Sequence, residues 1–249
     1  MKLAFLAAAD PIYLPNFFEI VLGDFAAQTD CVYSVPPLYK GQTPVRAAWR
    51  YYQTFGATAV VGLLKQLVAA QVARNSIKRV CARHGVSHAV VRDVNAAEFV
   101  AELASRQLDV IISVSCPQIF KRPLLETPAV GCLNIHGALL PHYRGIMPSF
   151  WMLANRERHA GVTVYFMNEE IDAGDVAEQR AFEIFPTETL DGFLRRSKAA
   201  AAEVLLDVLR SIERGTLAPA PMDMTKGSYY SWPDVEAVRK FRATGHRLW

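Results

Sequence analysis

Asn134 and His136 stand two residues apart at the end of a predicted strand, Val130 to His136. Side chains two apart in a strand share a face, and open α/β sheets bind ligands outside the carboxyl ends of their strands. A carboxylate, Asp172, is expected to follow a second strand through Asn168 to Ile171, with Gly174 letting its loop turn tightly. A neutral amide donor, an imidazole and a carboxylate can thus converge on a small volume. An amide N–H can steady an oxygen on which negative charge develops, and an imidazole held by a carboxylate can move a proton. Opposite charge at Asp172 would raise the pKa of His136. Singly, each residue has an ordinary reading as a turn former or a core side chain.

The elements that must position this trio alternate along the chain. Predicted strands are Lys2 to Ala7, Asp30 to Val35, Ala89 to Val91, Leu108 to Ser115, Val130 to His136 and Gly161 to Met167. Leu108 to Ser115 (LDVIISVS) is a nearly continuous apolar run, as strands buried on both faces are. Helices are predicted over Leu14 to Leu22, within a long region from Val45 to Gly85, over Ala96 to Arg106 and from Pro148. The last long helix is bounded by Thr187 as N-cap and Gly215 just past its end. Alternating strands and helices predict an α/β fold with a doubly wound, mainly parallel sheet. The expected division is a catalytic domain over residues 1–215 and a short aromatic C-terminal extension over 216–249, with no internal repeat.

Composition narrows the classes. The 249 residues are 51% apolar and 20% charged, with a net charge of +3, which speaks against disorder and gives no general basic footprint for nucleic acid. Cys31, Cys81, Cys116 and Cys132 lie far apart without a C-x-x-C pair, so no metal site and no disulfide framework is expected, and a reducing cytoplasm is. Asp10, Pro11 and Pro15 interrupt the N-terminal apolar run, which reads as a strand rather than a signal peptide. The apolar stretch Thr54 to Ala73 carries Lys65, Gln66 and Gln71, and reads as a core or amphipathic helix. No membrane partner is expected.

The stretch from Leu133 to Asp175 closely resembles the formyltransferases that use 10-formyltetrahydrofolate. The pattern N-x-H-x-x-L-L-P-x-Y-R-G, then G-V-T-V, then I-D-x-G-D is matched by Asn134, His136, Leu139, Leu140, Pro141, Tyr143, Arg144, Gly145, Gly161, Val162, Thr163, Ile171, Asp172, Gly174 and Asp175. The resemblance implies a Rossmann-like formyltransferase fold, and formyl transfer to an amine with Asn134, His136 and Asp172 as the catalytic residues. It also implies a cis Leu140–Pro141 bond, the folate as co-substrate and no metal. By the same resemblance the pterin lies between Val91 to Val94 and the Ser115, Cys116, Pro117, Gln118, Ile119 loop. Ile119 and Leu139 cover its face, Pro141 shapes the pocket, and the loop with Asn168, Ile171 and Ala173 closes it.

Departures from the family's pattern bear on the acceptor. The glycine-rich phosphate loop of the glycinamide ribonucleotide enzymes is replaced by Ala7-Ala8-Ala9-Asp10-Pro11. The tail is too short for the β-barrel with which initiator-tRNA enzymes engage RNA. The expected acceptor is therefore the primary amine of a small molecule, foremost an amino sugar, nucleotide-linked or free. A methionyl-tRNA formyltransferase-like enzyme without that barrel, a formyltetrahydrofolate hydrolase and a non-catalytic folate binder are the alternatives. A homodimer, an acceptor roof built from residues 45–85, and a substrate wall, dimer contact or clasp built from Tyr229, Tyr230, Trp232, Phe241 and Trp249 stay open.

Overall fold

The computed structural model describes residues 1–36 and 43–249. Seven strands form one sheet: β1 (Leu3–Ala8), β2 (Thr29–Val35), β3 (Ser87–Val90), β4 (Val110–Val114), β5 (Gly131–His136), β7 (His159–Phe166) and β8 (Val176–Glu183). Their order is β3-β2-β1-β4-β5-β7-β8. The first five run parallel, and β7 and β8 add an antiparallel edge. Every residue of β1 and β4 is buried, which explains their unbroken apolar sequences. The predicted α/β class, with a mainly parallel doubly wound sheet, is the fold observed.

One face of the sheet is covered by α1 (Leu14–Phe25), α4 (Ile77–Arg83) and α8 (Leu190–Glu213), and the other by α5 (Ala97–Ser105) and α6 (Arg122–Leu125). A third apolar cluster joins α2 (Pro44–Phe55), α7 (Pro148–Ala154) and α9 (Val235–Ala243). There the ring of Phe241 stacks on Phe150, and Trp232 Nε1 donates to Thr54 Oγ1. A two-stranded ribbon pairs β6 (Arg144–Gly145) with β9 (Tyr229–Tyr230). Residues of the 216–249 segment thus lie against the body of the fold at several points.

Several predicted elements need correction. The long helical region from Val45 to Gly85 is three helices, α2, α3 (Ala57–Val72) and α4, because Gly56 takes φ 86° between the first two. Asn168 to Ile171 is a loop, not a strand: Asn168 Oδ1 accepts the Glu170 N–H at 2.9 Å, the local turn to which Asn is suited. The strand preceding Asp172 ends earlier, at Phe166. The N-cap of α8 is Thr189, whose Oγ1 accepts the Gly192 N–H at 3.1 Å, and not Thr187. Gly215 follows the helix with φ 65°, the left-handed conformation expected of it. Strand β8 was not anticipated, since Glu, Gln and Arg interrupt its apolar pattern.

Gly174 is buried where the loop after β7 turns back toward β8. A Cβ there would lie 1.7 Å from the Phe166 carbonyl oxygen, so backbone meets backbone and no rotamer relieves the clash. Gly174→Ala is therefore expected to destabilise the fold by about 2 kcal/mol, lowering the melting temperature by ~4–8 °C in a thermal scan.

Candidate active site

Asn134 and His136 close strand β5 on one face, as their spacing requires, and Asp172 reaches them from the loop after β7. His136 and Asp172 are buried, 6% and 8% exposed. His136 Nδ1 lies 3.8 Å from Asp172 Oδ2, beyond hydrogen-bonding distance. The other ring nitrogen, Nε2, is 2.7 Å from the Tyr143 carbonyl oxygen. A carbonyl only accepts, so Nε2 carries the proton, and in the neutral ring the lone pair sits on Nδ1, toward Asp172.

Tyr165 ties the trio together, and sequence reasoning missed it. Its hydroxyl donates to Asp172 Oδ1 at 2.8 Å and accepts from Asn134 Nδ2 at 2.9 Å. The second Asp172 oxygen accepts the Gly145 N–H at 2.8 Å. One buried phenol thus fixes both the amide and the carboxylate. The only signal for it was its place in strand β7, opposite Asn134 in the antiparallel register.

The loop that supplies Tyr143 O and Gly145 N is held by the C-terminal segment. Tyr143 N donates to Ser228 Oγ, Arg144 N to Ser228 O and Ile146 N to Tyr230 O, at 2.8–2.9 Å. The Arg144 guanidinium in turn grips the Ile171 carbonyl, next to Asp172. Seven non-glycine residues among those described have positive φ, and four of them (Ser115, Tyr143, Met147 and Asp172) line this end of the sheet. Such strained backbone persists where the surroundings over-determine it, commonly at functional sites.

Electrostatics correct one expectation. Asp172 does raise the pKa of His136, as does the Tyr143 carbonyl, but burial is the larger effect and Lys198 and Arg144 add to it. The net shift is downward from 6.5, so His136 is neutral at pH 7, with its lone pair at Nδ1. Lys198, half-buried on α8, donates from Nζ to Ser115 Oγ at 2.7 Å and brings a cation to the same rim.

A formyl transferase family model matches residues 60–209. That span is more than half of the chain. The chain belongs to the formyl transferase family. It is 35% identical over 159 residues to a methionyl-tRNA formyltransferase of Thermotoga maritima, an alignment covering 64% of this chain and 51% of that protein. The chain spans about half the length of the curated relatives it matches. Among solved structures it resembles an N-formyltransferase of Helicobacter canadensis crystallised with folinic acid and dTDP-3-aminofucose (TM-score 0.63, 17% identity, 98% of this chain and 81% of that one). It also resembles a Shewanella sugar N-formyltransferase (TM-score 0.60, 21% identity, 93% and 77%). At these identities the structural likeness establishes the fold.

In this family member the residues expected around the folate fall into two groups. Gln118 staples the two expected walls: its Oε1 accepts the Val94 N–H at 3.0 Å and its Nε2 donates to the Arg92 carbonyl at 2.7 Å. Val94 is fully buried, Val91 is half-buried and Ile119 is exposed. Ser115 is exposed, and Cys116 and Pro117 are half-buried; burial pushes the Cys116 thiol up to about 11, so it stays protonated rather than nucleophilic. Asn168, Ile171 and Ala173 share the loop carrying Asp172, where Asn168 Nδ2 reaches the Ala173 carbonyl at 3.5 Å. Leu139, half-buried, packs against Gly161 of β7. Pro141, after the expected cis bond, meets the tail, its carbonyl accepting the Ser228 N–H. Among the described residues no group of three His, Cys, Asp or Glu side chains could hold a metal ion.

Three outcomes are expected. Tyr165→Phe keeps the ring but frees Asn134 and Asp172, and should lower kcat by about 10–100-fold while leaving the folate KM within twofold, since hydrogen bonds to charged groups contribute ~1.5–3 kcal/mol. A kcat within twofold of wild type would show the hydroxyl idle. The acid limb of the kcat–pH profile should lie below pH 6.5, because the lowered pKa keeps His136 deprotonated down to more acid pH. Lys198→Met removes a cation that opposes His136 protonation, and should move that limb to higher pH.

Proposed function

We propose that the chain transfers the formyl group of 10-formyltetrahydrofolate to the primary amine of a small molecule, an amino sugar carried on a nucleotide or free. Asn134, His136 and Asp172 are the catalytic residues of this reading. The observation that carries it is the single hydrogen-bonded line from Asn134 through Tyr165 to Asp172, with His136 Nδ1 turned toward the same carboxylate. That donor set fits a formyl donor. Asn134 spends one amide N–H on Tyr165 and has a second for a carbonyl oxygen, while His136 Nδ1 makes no hydrogen bond among the described residues.

The folate supplies the formyl group, and the chain's own residues do the rest. The Asn134 amide donates to the formyl oxygen as the amine nitrogen bonds to the formyl carbon and negative charge gathers on that oxygen. His136 Nδ1 takes the proton the attacking nitrogen must lose. The imidazolium so formed is stabilised by Asp172, and returns the proton to the departing folate nitrogen as the carbon–nitrogen bond breaks. The products are a formamide and tetrahydrofolate.

The turn after β1 favours an acceptor that needs no phosphate-cradling loop there. Asp10 Oδ1 accepts the Ile12 and Tyr13 N–H groups at 2.7 and 3.1 Å, closing the turn after β1 with a carboxylate in place of an anion-cradling glycine loop. The solved structures it resembles include proteins described as sugar N-formyltransferases, one crystallised with a nucleotide-linked amino sugar. Methionyl-tRNA is the second reading, favoured by the 35% identity to a methionyl-tRNA formyltransferase over 159 residues.

Release of tetrahydrofolate from the formylfolate is measured alone, with nucleotide-linked amino sugars and with methionyl-tRNA. The proposal expects release that depends on an amino sugar. Release without any amine would indicate a hydrolase, and release with the charged tRNA alone would establish the second reading. His136→Ala or Asp172→Ala should each lower turnover by ~10²–10³ or more in a folded chain, and near-normal turnover in either would remove the trio from the mechanism.

A further inference from the structure

From Cys31 to Arg92 the sequence holds nine Lys and Arg residues and not one Asp or Glu. The rest of the chain carries 18 basic and 24 acidic side chains, so the mild net charge of +3 hides a strongly cationic segment on an anionic body. Within that segment lie α2 and α3. Helix α3 is seated the wrong way round for a core helix. Its buried residues are the small Ala59 and Ala70, and Gly62 lies directly against the indole of Trp249. Its large side chains face outward: Val61, Leu64, Val68 and Val72, spaced along one helical stripe, are 50–78% exposed.

Helix α2 repeats the arrangement. Only Phe55 is buried, whereas Val45, Trp49 and Tyr52 share an exposed stripe on which the two rings stack at 5.4 Å. Arg46 and Lys65 are exposed on the same two helices and Arg74 lies just past α3; none forms an ion pair among the described residues, while Arg50 of α2 stacks its guanidinium 4.8 Å from the centre of the Trp232 ring. No helix among the described residues is long and apolar enough to cross a membrane. Apolar stripes with Trp and Tyr, unpaired cations and no acidic residue are instead the makeup of helices that lie in a membrane interface.

We propose that the α2–α3 helix pair seats this protein on the surface of an anionic lipid bilayer, with the apolar stripes in the headgroup boundary and Arg46, Lys65 and Arg74 among anionic headgroups. This departs from the expectation that the chain has no membrane partner. It rests on charge and exposure in these two helices, and stands apart from the choice of acceptor. A second copy is the poorer occupant, because pairing two such surfaces brings like charges together with no acidic partner. Nucleic acid would answer the cations but leave the Val and Leu stripe uncovered.

The full chain is sedimented with vesicles of phosphatidylcholine alone and of phosphatidylcholine mixed with phosphatidylglycerol, at low and high salt. Binding is expected to the mixed vesicles only, weakening with salt. Leu64→Asp with Val68→Asp should reduce the partition coefficient about tenfold or more, as should Arg46→Glu with Lys65→Glu, both with an unchanged melting temperature. Brominated phosphatidylglycerol should quench part of the wild-type tryptophan emission, a part missing in Trp49→Phe, which keeps the test decisive if a double variant fails to fold. Equal or absent binding to the two vesicle types overturns the proposal. So does a concentration-dependent dimer abolished by the Asp substitutions without vesicle binding, or RNA binding without vesicle binding.

Discussion

A carboxylate removed from water is costly unless its oxygens find donors, and the site is organised around meeting that demand at Asp172. It sits in the left-handed backbone region, at φ 52°, and is nearly buried. One oxygen accepts the Tyr165 hydroxyl and the other the Gly145 amide. Each donor has a second allegiance, Tyr165 to Asn134 and Gly145 to the ribbon with β9. Satisfying one buried charge therefore fixes the amide on β5, the turn at Gly145 and the backbone after β7 in relation to one another. Gly174 completes the arrangement by letting the chain pass the Phe166 carbonyl with no side chain in the way.

The same logic carries the C-terminal segment into the site. Ser228 and Tyr230 share no hydrogen bond with His136 or Asp172 among the described residues, yet their backbone and hydroxyl groups hold residues 143–146. That loop presents one carbonyl to His136 and one amide to Asp172. The stack of Tyr143 on Tyr230, at 5.0 Å, and the anchoring of Trp151 on the Ser231 carbonyl press the two segments together. The imidazole tautomer is thus decided by a contact between parts of the chain far apart in sequence.

Sequence showed the trio and hid its supports for definable reasons. Asn134 and His136 announce themselves through period-two spacing at a strand end, and the buried strands β1 and β4 through unbroken apolar runs. Tyr165 looks like any aromatic residue in a strand, because its role comes from antiparallel register opposite Asn134, a long-range pairing without a local signature. The ribbon of β6 with β9 is two residues long on each side, too short for any periodicity. Asn168 to Ile171 reads as strand in sequence, yet an Asn side chain closes a turn there. The pair α2 and α3 is legible as helix, but which of its faces is covered depends on Trp249 and α9, at the other end of the chain.

The sign of the His136 shift shows how burial can reverse a pairwise argument. From sequence, an imidazole beside a carboxylate gains a proton, and that attraction is present at 3.8 Å. The fold that brings the two together also strips water from the ring, and it places Lys198 and Arg144 where both oppose a positive imidazole. Desolvation is the larger effect, so the ring rests neutral, with its proton committed to the Tyr143 carbonyl and its free lone pair on the side where Asp172 lies. A base in that state can receive a proton at pH 7, whereas an imidazolium could not. In the proposed reaction Asp172 would contribute most once the ring is charged, which is when stabilisation accelerates a chemical step rather than merely tightening the resting state.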